Sequence, residues 1–154
     1  MHSAILVLHS LFRWFVLISL LYAIYRAYSG WFSNRTFSPF DNSVRHWTAT
    51  IAHIQLLLGL WLYFISPTIT YFLNNFQEAV KQSDVRFLGM EHSVMMLIAI
   101  IIITIGSAKA KRKETDLEKF KTMAVWFSIG LLIILVTIPW PFSPLASRPY
   151  FRLF

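Results

Sequence analysis

Residues 87–107 read FLGMEHSVMMLIAIIIITIGS, an apolar run with one carboxylate and no lysine or arginine. At 1.5 Å per residue, a helix over this run is about 32 Å long, which matches the hydrocarbon thickness of a bilayer. Residues 98–103, at its centre, carry no polar side chain. The run therefore predicts a transmembrane helix from about Phe87 to Ser107.

Three further apolar blocks have the same character. Hydrophobic residues make up 56% of the chain and charged residues only 14%, a composition typical of membrane proteins. The sequence predicts an all-α membrane protein, an antiparallel four-helix transmembrane bundle that forms one domain over residues 1–154. The predicted spans are about Ala4–Tyr28, Val44–Ser66, Phe87–Ser107 and Leu117–Ile138.

Positive charge concentrates around the connections after the first and third predicted spans. The positive-inside rule places such connections in the cytoplasm, and an even number of spans then puts both termini on the periplasmic side. We therefore predict a multi-pass protein of the bacterial inner (cytoplasmic) membrane. The basic residues are Arg26, Arg35 and Arg45 at the first connection, and Lys109, Lys111, Arg112 and Lys113 at the second.

Composition and motifs exclude several classes of function. The net charge of +7 resides mainly in these connections, which speaks against nucleic-acid binding. The absence of cysteine excludes disulfides, iron–sulfur clusters and covalently attached c-type haem. No nucleophile with its base and no phosphate loop is visible, so no catalytic residue is predicted and redox chemistry is the one activity favoured. The first span lacks the features of a cleaved signal peptide, and we expect it to be retained.

Two segments outside the spans have distinctive patterns. Residues 68–80 place Tyr71, Phe72 and Phe76 at helical spacing, which predicts a helix lying on the outer interface. It either covers the mouth of the bundle or docks a partner subunit. Residues 139–154 hold four prolines with Arg148 and Arg152, which predicts an extended tail along the outer surface or against a partner.

Ionisable side chains inside a span cost several kcal/mol unless they are paired or ligating, so each one is a functional candidate. In this chain they are His9, Arg13, His53, Glu91 and His92. His9 and His92 each lie about one to two turns from the predicted outer surface, whereas His53 lies about 20 Å from the outer end of its helix. Only His9 and His92 match in depth.

The matched pair suggests a cofactor site. The first and third helices of an up-down-up-down bundle lie on a diagonal, so His9 and His92 can face each other across its core. Two such imidazoles can bind a haem iron, and we predict a haem b near the periplasmic face with His9 and His92 as iron ligands. Hydrogen bonding between helices, another metal and a proton path stay open as alternatives. Met90, Met95 and Met96 leave a His/Met ligand pair open as well.

Arg13 lies one turn from His9 on the same helix face. Its guanidinium offers a planar fork of donors that suits a haem propionate, so we predict that Arg13 contributes to cofactor binding. The alternative is a buried ion pair with Glu91, which otherwise lacks a partner.

His53 shares one face of its helix with His46. The two could line a proton route, ligate a second haem or meet a quinone head group, and we include His53 among the cofactor-binding candidates. A second bis-histidine haem lacks a partner, because the fourth span contains no histidine. A hydrogen-bonding role for His53 in the core is the simplest interpretation.

Four motifs support a family resemblance: HSLFRW from residue 9, RHWTATIAH from residue 45, MEHS from residue 90 and IPWPF from residue 138. With these elements the chain resembles a family of small four-helix bacterial membrane proteins labelled cytochrome b-like. More distantly it is similar to half of a haem A synthase or a cytochrome b561-type bundle. The resemblance implies that bundle histidines hold b haem, with His9 and His92 as the leading ligands.

The leading functional hypothesis is a membrane b-type cytochrome-like electron-transfer protein, linked to a quinol. The alternative is a cofactor-free accessory or assembly subunit of a larger membrane complex. A histidine-lined carrier for protons or a metal ion is the third hypothesis. The expected partners are the lipid bilayer, a quinone, and other subunits that bind the interfacial helix and the tail.

Overall fold

The structure is a computed structural model that describes residues 1–144 and 146–150. In this part of the chain every regular element is a helix. Four helices are long and apolar enough to cross a bilayer, which confirms the four predicted spans. In chain order the helices are α1 His2–Phe32, α2 Pro39–Ile65, α3 Pro67–Asn74, α4 Phe76–Ala79, α5 Ser83–Arg112 and α6 Asp116–Thr137.

Reciprocal caps fix where α2 and α6 begin. The Ser38 hydroxyl accepts a hydrogen bond from the backbone N–H of Asp41, and the Asp41 carboxylate accepts one from the backbone N–H of Ser38. Thr115 and Glu118 form the same arrangement at the start of α6. Because the cap on α2 is followed by a proline at the first helical position, this helix begins earlier than the predicted Val44.

The first and third spans are also longer than predicted. α1 has 31 residues and α5 has 30, each about 45 Å at 1.5 Å per residue. Both lengths exceed the hydrocarbon thickness of about 30 Å, so these helices tilt or extend into the interfacial layers. The additional residues of α5 lie at both ends, 83–86 before Phe87 and 108–112 after Ser107.

The four spans pack as a ring. α1 packs against α2 and α6, and α5 packs against the same two helices. The contact between α2 and α5 is the least extensive of the four. A groove therefore remains between α2 and α5 on the outside of the bundle.

Close packing in the core depends on α6. Within the most apolar part of each span, 44% of the α6 residues are buried, against 22% in each of the other three. Phe120 packs on Gly30, where an added Cβ would lie 2.4 Å from the ring, and Ile103 packs on Gly130 in the same way at 2.5 Å. The other three spans expose broad apolar faces that suit lipid, with Phe15, Ile18, Leu57, Phe64 and Ile101 among their exposed residues.

An ion-pair cluster joins α1 to α2 at the end of the ring that we call the basic end, defined by Arg26, Asp41, Arg45 and Ser107. The Asp41 carboxylate is fully buried and accepts from Arg26 Nη2 at 2.6 Å and from Arg35 Nη2 at 3.3 Å. The Ser38 cap and these two guanidiniums satisfy the carboxylate, so loss of a partner would leave a buried charge incompletely paired.

The segments outside the spans differ from the prediction in part. Residues 68–80 form two short helices, α3 and α4, rather than one continuous helix, because the backbone of Asn75 leaves the helical conformation. The described tail residues, 139–144 and 146–150, contain no helix. The predicted tail positions Leu145 and 151–154, including Arg152, lie outside the described residues.

Candidate functional site

Polar side chains join neighbouring spans at the opposite end of the ring. We call it the histidine end and define it by His9, Gln55, His92 and Thr137. Gln55 Nε2 donates to the backbone oxygen of His9 at 3.0 Å and lies 3.4 Å from His9 Nε2. A Cβ added to Gly59 would lie 3.3 Å from His9 Cε1. The imidazole of His9 is therefore held against α2 by Gln55 and by the lack of a side chain at Gly59.

His92 forms its hydrogen bond with α6, whereas His9 contacts α2. Its Nδ1 lies 3.0 Å from the backbone oxygen of Thr137, near the end of α6. A carbonyl oxygen only accepts hydrogen bonds, so Nδ1 carries the proton and Nε2 keeps its lone pair. Among the described residues, His92 Nε2 has no hydrogen-bond partner. Histidines that ligate metals are commonly oriented by such a bond from the other ring nitrogen.

A π-helical turn at Phe87–Glu91 immediately precedes His92. The backbone N–H of His92 donates to the oxygen of Phe87, five residues back, and the hydroxyl of Tyr63 donates to the oxygen of Gly89 at 3.1 Å. Turns of this kind are rare and frequently occur at functional sites. Sequence reasoning missed this turn, since no residue type marks it.

The structure brings His9, His92 and Arg13 into one neighbourhood, where their side chains lie within range of electrostatic interaction. Arg13 Nη2 donates to the backbone oxygens of Pro149 and Tyr150, the first at 3.3 Å. The described part of the tail thus folds back over α1. This contact was not predicted, because nothing in the sequence links the tail to Arg13.

The predicted alternative of an ion pair between Arg13 and Glu91 is wrong. Glu91 Oε1 instead accepts from Arg86 Nε at 2.7 Å. Arg86 lies on the same helix as Glu91 and reaches it across the π-helical turn. Glu91 therefore pairs with Arg86. The guanidinium of Arg13 binds carbonyl oxygens of the tail and has no carboxylate partner among the described residues.

Three buried polar atoms at the histidine end have no hydrogen-bond partner: His9 Nδ1, Arg13 Nε and Gln55 Oε1. Each such atom costs about 1–3 kcal/mol when buried without a partner. Only one other side-chain atom in the described part of the chain shares this condition, Arg35 Nε at the basic end. The concentration of unsatisfied donors and acceptors around His9 suits a polar or metal-containing ligand.

His53 is not part of this group. Its Nε2 lies 2.8 Å from Thr104 Oγ1, and that hydroxyl donates to the oxygen of Ile100 at 2.7 Å. His53 therefore donates its Nε2 proton to Thr104, across the groove between α2 and α5. The predicted hydrogen-bonding role agrees with this contact, but the side chain is exposed on the outside of the ring and not in the core.

The imidazole nitrogens of His9 and His92 are of the type that can ligate a haem iron. His92 Nε2 is available, and His9 Nε2 is engaged only by the long contact to Gln55. No group of three or more metal-ligating side chains occurs among the described residues, so a site built on protein ligands alone is not visible there. Haem supplies four ligands of its own and requires only the two axial nitrogens from the chain.

Together the fold and the site define a multi-pass α-helical membrane protein with a polar cluster at one end of its four spans. No family model, curated protein or solved structure matches the chain, so its resemblance to cytochrome b-like proteins stays a prediction.

Proposed function

We propose that this protein is a b-type cytochrome-like electron-transfer protein of the membrane, with one haem bound at the histidine end. The observation that carries the proposal is the pair of imidazoles from α1 and α5 beside three unsatisfied polar atoms. His92 is oriented by Thr137 and presents Nε2, while His9 presents Nε2 once the 3.4 Å contact with Gln55 is released. Gln55 would still hold the backbone of His9 through its 3.0 Å hydrogen bond.

Arg13 is the residue that we assign to the propionates. Its Nε lacks a partner, and its Nη2 is bound to carbonyl oxygens of the tail rather than to a carboxylate. A bound haem would supply a one-electron redox centre. The chain itself would orient the two imidazoles and balance the propionate charge, and its tail would cover the site and limit the access of water.

The proposed topology is an antiparallel bundle with both termini on the periplasmic face of a bacterial inner membrane. It is supported by the contacts between the start of α1 and the end of α2, and by the basic residues at the opposite end. A quinol is the electron donor that we propose, because it reaches the protein through the bilayer. The haem would then lie on the periplasmic side.

A reduced-minus-oxidised visible spectrum of the purified protein, expressed with sufficient haem, tests this function. We expect Soret and α bands from the wild type and their loss or shift in His9→Ala and His92→Ala. His53→Ala is the matched control, because it removes an intramembrane imidazole outside the cluster and should leave the bands unchanged. A folded wild-type protein without either band would refute the cytochrome proposal.

A cofactor-free accessory subunit is the second candidate, favoured by a different observation. Each imidazole already bonds a neighbouring helix, His9 through Gln55 and His92 through Thr137. Polar contacts of this kind hold membrane helices together without a cofactor. In that case the spectrum would be empty, and His92→Ala would lower the melting temperature of the protein.

A further inference from the structure

The groove between α2 and α5 is polar at one end and apolar at the other. Its polar part, close to the basic end, holds about 270 Å³ and includes Arg45, His46 and Lys111 in its lining. Its apolar part holds about 230 Å³ and is lined by Leu56 of α2 and by leucine and isoleucine side chains of α5. His53 and Thr104 line both parts, so the two parts adjoin at the hydrogen bond that these side chains form between α2 and α5.

Arg45 gives the polar part an uncompensated charge. Its side chain is 5% exposed, and its guanidinium donates to Asn42 Oδ1 at 2.9 Å and to Ser107 Oγ at 2.6 Å. These partners are neutral, and no carboxylate of the described residues forms an ion pair with Arg45. A buried cation without a counter-ion is costly, so this position favours an anion.

Lys111 adds a second charge at the mouth of the groove. It is exposed, lies in the last turn of α5, and forms no ion pair among the described residues. His46 lies on the α2 side of the same opening. Arg45 and Lys111 therefore lie toward the ends of α2 and α5, where a chain that spans the bilayer would meet the phosphates of one leaflet.

The size of the groove limits what it can hold. Sites for drug-sized ligands and cofactors have volumes of about 300–1,000 Å³, and each part of this groove is smaller. A phosphate group in the polar part, followed by a stretch of acyl chain along the apolar part, matches both the volumes and the change in polarity.

We propose that this groove binds an anionic phospholipid of the leaflet at the basic end. Arg45 and Lys111 contact the head-group phosphate, and one acyl chain lies along Leu56, Leu97 and Ile101. The bound lipid fills the least extensive helix contact of the ring, between α2 and α5. The proposal depends on the chain spanning a membrane and is independent of haem binding.

Native mass spectrometry in a neutral detergent tests the proposal with two lipids that share their acyl chains, a phosphatidylglycerol and a phosphatidylcholine. We expect the wild type to retain the anionic lipid preferentially. Lys111→Gln should reduce that preference about fivefold, the effect of one basic residue near a membrane surface. Arg45→Gln should reduce it further, with its folding verified by circular dichroism.

Lys109→Gln is the matched control. Lys109 is exposed in the same last turn, but its Nζ lies 4.8 Å from the ring centroid of Trp126, away from the groove. We expect no change from this substitution, although it removes the same charge. Equal losses in the two lysine variants would overturn the proposal in favour of general electrostatic attraction.

Two further results would overturn it. Equal retention of the two lipids by the wild type would show that the groove binds acyl chains without recognising the head-group charge. Displacement of the phosphatidylglycerol by inorganic phosphate alone would indicate a small-anion site, and displacement by an equimolar quinone would assign the groove to a quinone.

Discussion

Gln55 connects the backbone and the side chain of His9, and this double contact determines how the imidazole is presented. Its amide donates to the oxygen of His9 at 3.0 Å and approaches Nε2 at 3.4 Å, while its own Oε1 has no partner. The same pattern of partly satisfied groups extends to Arg13. Unsatisfied polar atoms in a membrane interior carry a cost, and a ligand that bonds them would recover it.

Replacement of Gln55 by leucine should destabilise the protein, because it removes the contact between α1 and α2 at the histidine end. Hydrogen bonds between membrane helices contribute about 0.6 kcal/mol on average and up to about 1.7 kcal/mol. We expect the free energy of unfolding in mild detergent to decrease by an amount within this range. Gln77→Leu, at an exposed position on α4, is the control and should have no effect. A Gln55 variant as stable as the wild type would show that the contact contributes nothing.

At the scale of single elements, hydropathy predicted the four spans and local chemistry modified their ends. The predicted α2 began at Val44, so it included Arg45 and left out Asp41. The structure buries both residues and extends the helix to Pro39. The Asp41 carboxylate is satisfied by arginines distant in sequence or across a turn, and a periodicity argument does not detect such pairs.

Asp41→Asn should therefore be strongly destabilising. The substitution leaves Arg26 and Arg35 without their counter-charge, and because these side chains are 20% and 36% exposed, the cost should lie below the about 3–5 kcal/mol of breaking a fully buried pair. Asp116→Asn is the control, since its pair with Lys119 is partly exposed and such pairs contribute about 0–1 kcal/mol. Thermal or denaturant unfolding in detergent measures both. Equal effects would contradict the central place of Asp41 in the junction.

The π-helical turn in α5 is the second element that the sequence did not reveal. It places His92 next to a backbone irregularity and brings Gly89 against the ring of Phe72. The prediction identified His92 by its depth and by the diagonal placement of the first and third spans, and neither of these depends on the turn. The direction of the imidazole does depend on it, together with the oxygen of Thr137, and neither contact has a signature in residue type.

Gly89→Ala should loosen the contact between α3 and α5. The new methyl group would lie 2.5 Å from Phe72 Cγ, so the buried ring has to move, and overpacking of this kind costs about 1–3 kcal/mol. Gly59→Ala is a matched control whose methyl group meets His9 Cε1 at 3.3 Å and requires a smaller shift. We expect a larger fall in melting temperature for Gly89→Ala. The reverse order would contradict the packing described for α3.

At the scale of the whole molecule, the ring of four spans has two chemically different ends. The histidine end holds unsatisfied imidazole, amide and guanidinium groups. The basic end holds the buried carboxylate of Asp41 and most of the basic residues. The sequence predicted which residues lie at each end, because span boundaries follow from hydropathy. It did not predict which helices leave a groove between them, since that depends on side-chain volumes across the whole ring.

The absence of cysteine in the chain allows a direct test of the proposed orientation. Single cysteines at Ser3 and Gln77 should react with a membrane-impermeant maleimide applied to intact cells with a permeable outer membrane. A cysteine at Lys113 should react only after the inner membrane is disrupted, because its connection is expected in the cytoplasm. Labelling of Lys113→Cys in intact cells, with protection of the other two cysteines, would show that the topology is the reverse of the one proposed.

Electron paramagnetic resonance of the oxidised protein tests directly whether His9 and His92 together bind one haem iron. We predict a low-spin ferric signal of bis-imidazole type in the wild type. His9→Ala and His92→Ala should each convert that signal to high spin or abolish it. A folded, haem-replete wild type with no low-spin iron, or a low-spin signal that survives both substitutions, would contradict the claim.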